Sequence, residues 1–174
     1  PDVREWLHEE VDAIGGRPVS IEDLARLPRT HAVIAESMRL YPPAWSLGRR
    51  LLSDVQLGEW TVPRGAVALS SQYALHRSPR WWSSPRAFRP QRWLDDSGAF
   101  SESAPGQPRG AWFPFGWGNR RCIGEQFAWV EAQLVLATLA QRWDPRIVPG
   151  RPVQLQTSLT LRPKSGLPMT LHRR

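Results

Sequence analysis

Cysteine is all but missing from this chain, with Cys122 the single thiol in 174 residues. A disulfide-stapled secreted domain needs cysteines in pairs, so that class is excluded. Lysine is equally scarce: Lys164 is the only one among 23 cationic side chains. No stretch approaches the roughly 20 consecutive apolar residues of a membrane span. The opening residues, Pro1-Asp2-Val3-Arg4-Glu5, have neither the basic nor the apolar part of a leader peptide. There are no internal repeats. These absences lead us to expect a soluble, cytoplasmic protein with no membrane span.

The charge balance is +7. Such an excess suits nucleic acid, an anionic membrane surface or an acidic protein partner. No DNA-binding motif and no basic stripe interleaved with aromatics supports the first, so a nucleic-acid role is not expected. The preference for arginine over lysine is also what a GC-rich genome produces, and it needs no functional cause.

The length suffices for one domain with a real core. Val3, Leu7, Val11 and Ile14 share one face of a helix over Asp2–Ile14, closed by Gly15-Gly16. Ser20 and two acids begin a short helix through Leu27. Thr30 caps another, running to Leu40 before Pro42-Pro43. Val55–Leu57 and Trp60–Val62 alternate around Gly58-Glu59 as a β-hairpin. Gly65–Ser71 reads as a further strand. Pro79–Gly110 reads as an irregular meander with room for one short helix. Glu125–Trp143 is a long helix with apolar residues on nearly every face, including Phe127, Val130, Leu134, Leu136 and Leu139. Val153–Leu155 and Met169–Leu171 read as short strands. The fold class expected is mainly α with small β-sheets.

Cys122 sits within Phe115-Gly116-Trp117-Gly118-Asn119-Arg120-Arg121-Cys122-Ile123-Gly124, just before the long helix. A lone cysteine is commonly a small buried hydrophobe. Here the free N–H groups and dipole of a helix start would favour a thiolate instead. Gly118 and Gly124 let the backbone turn and approach a flat ring without a Cβ clash. Phe, Gly, Arg, Cys and Gly fall at every spacing of F-x-x-G-x-R-x-C-x-G. The segment therefore resembles the haem-binding signature of the cytochrome P-450 monooxygenases. The resemblance implies haem b, with Cys122 as iron ligand and Phe115 shielding the sulfur. It also implies that Arg120 points inward to a propionate, while Arg121 faces an acidic electron donor.

Two further segments carry the same resemblance. Glu36-Ser37-Met38-Arg39, three apart on one helix face, is similar to the family's E-x-x-R helix. Phe88-Arg89-Pro90-Gln91-Arg92-Trp93 is similar to its F-x-P-E-R-F meander, with Gln91 and Trp93 departing from the usual residues. Glu36, Arg39 and Arg92 would then form one buried structural network. Arg49 matches a propionate-binding arginine, with the adjacent Arg50 able to substitute, and His76 either approaches a propionate or is an exposed strand-end residue. Ala44–Leu47 and Ser158–Leu161 match places that line the substrate pocket.

The resemblance spans residues 1–174 as the C-terminal portion of that fold, a partial domain without the N-terminal and oxygen-binding-helix regions. No catalytic residue is assignable, because the proton-delivering pair belongs to the absent helix. The function implied is insertion of one oxygen atom from dioxygen into a lipophilic substrate. NAD(P)H would supply electrons indirectly, through a ferredoxin or a flavoprotein reductase. The chain by itself is expected to be inactive. A haem-binding module without turnover and a haem-free folded piece are the alternatives.

Overall fold

Asp2 opens the first helix, its carboxylate accepting the Arg4 N–H at 2.8 Å. The computed structural model describes residues 2–174, so Pro1 lies outside it. Helix α1 spans Val3–Asp12. Its Leu7 and Val11, with Ile14 beyond its end, pack on Leu27, Ala137 and Ala140 as a first core cluster. The chain then turns through Gly15 and Gly16, whose φ angles of 83° and 76° lie where a Cβ is disfavoured.

Ile21–Arg26 winds as a 3-10 helix, tighter than the short helix expected there. Helix α2 covers Pro28–Leu40. Thr30 does not cap it, because the helix begins two residues earlier with Pro28 at its first turn. The cap comes from α1. Glu10 accepts the backbone N–H groups of Arg29 and Thr30, at 2.6 and 2.8 Å, and the Thr30 hydroxyl at 2.7 Å. Burial raises the Glu10 carboxyl above its ordinary range, while these bonds hold it down.

Eight short strands pair two by two. Strand β1 (Leu47–Arg50) was not foreseen. The hairpin β2 (Val55–Leu57) and β3 (Trp60–Val62) turns at Gly58, as expected. Strand β4 (Val67–Ser70) pairs antiparallel with β1, so one edge of the expected Gly65–Ser71 strand is occupied. Helix α3 (Gln72–Leu75) follows at once. The meander holds a single 3-10 turn, Pro90–Trp93.

Helix α4 runs Glu125–Arg142 and gives way directly to β5 (Trp143–Ile147). It is one-sided rather than buried all round. Trp129, Gln133, Ala137 and Ala140 face the interior, while Phe127, Val135 and Leu139 are exposed. Strands β6 (Leu155–Thr157) and β7 (Leu161–Pro163) form a hairpin-like pair, and β5 pairs with β8 (Met169–Arg173).

The second core cluster is aromatic. Trp82, Trp93, Trp112 and Trp129 join Ala32 and Ala35 beneath the meander. Trp93 and Trp112 have ring centroids 4.5 Å apart, and Trp82 follows Trp93 at 5.7 Å. His31 stacks on Phe100 at 3.5 Å, and burial lowers it to about 4.

Candidate functional site

Glu36 is wholly buried, and its carboxylate accepts hydrogen bonds from four residues. Arg39 donates from Nε and Nη2, both at 2.8 Å, in the bidentate fork that a guanidinium favours. Arg92 Nε reaches the same carboxylate at 3.3 Å, and the Arg89 backbone N–H at 2.9 Å. The fourth donor is the indole N–H of Trp93, at 3.0 Å. Trp93 is one of the two departures from the family's meander pattern, and the departure supplies a bond a phenyl ring could not make. Arg39 spends its remaining N–H groups on the carbonyls of His76, Pro85 and Ala87, at 2.7–3.1 Å. The network therefore ties α2 to the first half of the meander, from Pro85 to Trp93. Both guanidinium groups also lie over Trp82, at 5.1 and 5.8 Å.

The cysteine loop is built differently. The Cys122 N–H donates to the Phe115 carbonyl at 2.9 Å, closing the loop two residues ahead of the α4 cap, Gly124. Gly116 and Gly118 take φ values of 80° and 66°, and only glycine does so without strain. The thiol itself is exposed. Phe115 packs on Trp129 at 5.7 Å, which anchors the loop to the aromatic core.

Arg121 does not stand free for a partner. Its guanidinium is bonded to Glu125, one turn along and itself nearly buried. The i, i+4 spacing of the two residues was the signal for this pair, and it was overlooked. Arg120 is exposed with no carboxylate partner among the described residues. Arg49, on β1, is also exposed and donates only to the neighbouring Gly48 carbonyl, at 2.8 Å. His76 is neither a strand end nor exposed. It caps α3 with its ring fully buried, and Nε2 accepts the Phe113 N–H at 3.1 Å. Burial lowers it to about 4, so the ring is neutral and cannot serve as a cation for a carboxylate.

A flat macrocycle held by Cys122 needs an open thiol, a backbone it can approach, apolar walls and cations for its carboxylates. The residues present fit such a group. A Cβ on Gly124 would stand 3.8 Å from Cys122 Sγ, and one on Gly116 would meet Leu47 at 3.6 Å. Leu47, Arg49, Leu69, Phe113 and Trp117 line an open cleft of ≈ 460 Å³ beside the loop. Leu69 and Trp117 leave most of their surface bare there, at 78% and 65% exposure.

The cytochrome P-450 family model matches residues 1–169. A cyclooctat-9-en-7-ol 5-monooxygenase of Streptomyces melanosporofaciens is 44% identical over 151 residues, covering 86% of this chain and 32% of that one. A cyclooctatin synthase of the same organism is 40% identical over 171 residues, 97% of this chain and 36% of that one. Cyanobacterial CYP120A1, solved with retinoic acid bound, superposes with a TM-score of 0.89 at 30% identity, over 99% of this chain and 39% of its own. The chain thus spans about a third of the length of the curated relatives it matches. Among the described residues, no helix is long and apolar enough to cross a membrane.

Proposed function

This chain belongs to the cytochrome P-450 family, and from that premise we propose that it forms the cysteine-ligand part of a haem-thiolate monooxygenase. The observation that carries this reading is the exposed Cys122 thiol, fixed by its own N–H to the Phe115 carbonyl at the start of α4. Bound haem iron supplies the activation of dioxygen and the insertion of one oxygen atom into an apolar substrate.

The chain's own residues do the holding. Cys122 presents its sulfur as the metal ligand, on exposed backbone just before the start of α4. With the ring bound, Phe115 would help keep water from that sulfur, which would tune the metal it holds. Gly118 and Gly124 leave room for a flat ring to lie against the backbone. Arg49 and Arg120, exposed and without a carboxylate partner among the described residues, take the propionates. Glu36, Arg39 and Arg92 act at one remove, fixing the meander whose Trp93 packs on Trp112 in the wall behind Phe115. Electrons come from NAD(P)H through a ferredoxin or a flavoprotein, and the substrate is a lipophilic small molecule.

The test uses the haem-loaded protein that carries this chain. Its ferrous–CO complex should absorb where thiolate ligation places it, and Cys122→Ala should remove that band. A band that survives in Cys122→Ala would sink the assignment. Arg49→Ala and Arg120→Ala should keep the band but release haem faster.

A further inference from the structure

His76 stands between the Glu36 network and the cysteine loop, and it is bonded to both. Its carbonyl accepts a hydrogen bond from Arg39 Nη1 at 2.7 Å, so its backbone belongs to the network. Its ring Nε2 accepts the Phe113 N–H at 3.1 Å, and the two rings meet edge-on with centroids 5.5 Å apart. Phe113 opens the turn into the loop, its carbonyl accepting the Gly116 N–H at 3.0 Å. Two residues further, the Phe115 carbonyl accepts the Cys122 N–H at 2.9 Å. A path of hydrogen bonds and short covalent steps thus runs from the buried arginine, through one imidazole, to the backbone that carries the thiol.

The path holds with the ring in one form only. Nε2 accepts a hydrogen bond only while it carries no proton, so the ring must be neutral with its hydrogen on Nδ1. The surroundings favour that form. The Met38 carbonyl of α2 draws the ring's N–H, although Nδ1 completes no bond of good geometry. The charged groups that bear on the ring are Arg39 and Arg77, both cations, and the ring is fully buried, so a second proton is disfavoured. A second proton would turn Nε2 into a donor facing the Phe113 N–H, and the tie would part.

We propose that His76 is a positioning residue for the thiol: its neutral ring latches Phe113, and through Phe113 sets the register in which the loop presents Cys122. The latch follows from the geometry alone, whereas its effect on a metal ligand rests on the haem-thiolate reading. His76→Gln offers an uncharged acceptor oxygen in place of Nε2. His76→Leu removes the acceptor.

Two measurements on the haem-loaded protein decide the matter. At neutral pH the Phe113 and Cys122 amides should exchange about fivefold faster in His76→Leu, the ratio that one ordinary net hydrogen bond supports. Those of Leu7–Val11 in α1 should be unchanged, and His76→Gln should match the parent throughout. Acid supplies the second contrast. In the parent, protection at Phe113 should fall by up to about tenfold per pH unit from about 6.5 toward about 4, as the opened ring gains a proton. The thiolate band of the ferrous–CO complex should weaken over the same window, and His76→Gln should hold both measures level there. Equal exchange at Phe113 in His76→Leu and the parent would overturn the latch. Faster exchange with an undiminished band would overturn its hold on the ligand. If His76→Leu fails to fold, parallel pH profiles for the parent and His76→Gln would overturn the latch instead. A parent without any thiolate band would strike the haem reading, and the exchange data would still decide the latch.

Discussion

Glu36 and Cys122 represent opposite ways of fixing a reactive group. Around Glu36 every acceptor is used, by two guanidinium groups, one backbone N–H and one indole, all under the aromatic cluster. Around Cys122 only the backbone is committed, its N–H to the Phe115 carbonyl and its carbonyl to the Glu125 N–H, and the sulfur is bare. A buried charge must find its partners inside the chain, because an unpaired one costs several kcal/mol. An exposed thiol carries no such demand. The contrast teaches that stability and chemistry are lodged in separate places, and that each can be disturbed without the other.

The strongest blow to the first region is Arg39→Ala. It leaves Glu36 without its bidentate partner and frees three carbonyls, so a loss of about 3–5 kcal/mol is expected. Thermal unfolding followed by circular dichroism should lose its cooperative transition, whereas Arg86→Ala on the nearby exposed loop should melt as the parent does. A normal melt for Arg39→Ala would erase the distinction between the two regions.

Acid should act next, through His76. Its folded value of about 4 lies below the ordinary 6.5, so the unfolded chain takes up a proton that the folded one refuses. The stability held above about pH 6.5 should therefore fall as pH drops toward about 4, by up to about 3 kcal/mol for this residue. His31 works in the same direction. Urea midpoints measured across that window should flatten in His76→Gln, and a profile as steep as the parent's would remove His76 as the cause.

Trp93→Phe sharpens the comparison more finely. It deletes one hydrogen bond to a charged acceptor and keeps the ring, for an expected loss of about 1.5–3 kcal/mol. A midpoint identical to the parent's would mean that the indole N–H merely fills a vacancy. Smallest of all should be Cys122→Ala in the absence of haem. The side chain is exposed, so the urea midpoint should shift by no more than about 0.5 kcal/mol, even though the metal ligand is gone.

Local patterns were readable from sequence; distant partners were not. The β2–β3 hairpin was visible because alternation and a Gly-Glu turn lie within eight residues. The cysteine loop was picked out because its residues resemble the family's signature over ten consecutive positions. Strand β1 was not, because Leu47-Gly48-Arg49-Arg50 has no alternation and its hydrogen bonds are completed only by Val67–Ser70. The start of α2 was misread for a related reason. Thr30 looks like a cap, but the acceptor that does the work is Glu10, 20 residues back on another helix. The exposed strand-end alternative for His76 fails because its ring is buried against Phe113, 37 residues on. Glu36 and its two arginines were picked out by resemblance, but nothing in the spacing showed that Trp93 would join them.

The tryptophan cluster has a spectroscopic consequence. Trp82, Trp93, Trp112 and Trp129 are linked by centroid separations of 4.5–6.3 Å at inclined planes. Indoles so close and so tilted share their excited states instead of absorbing independently. Their near-ultraviolet circular dichroism should be a coupled signal that vanishes as one when the meander lifts from α2. Excitation anywhere in the group can also migrate through it to Trp129, which packs on Phe115 at the back of the cysteine loop. An absorbing macrocycle on the other side of that loop would drain the light from the whole cluster, so the protein's own fluorescence would report occupancy of the site before any added reagent did.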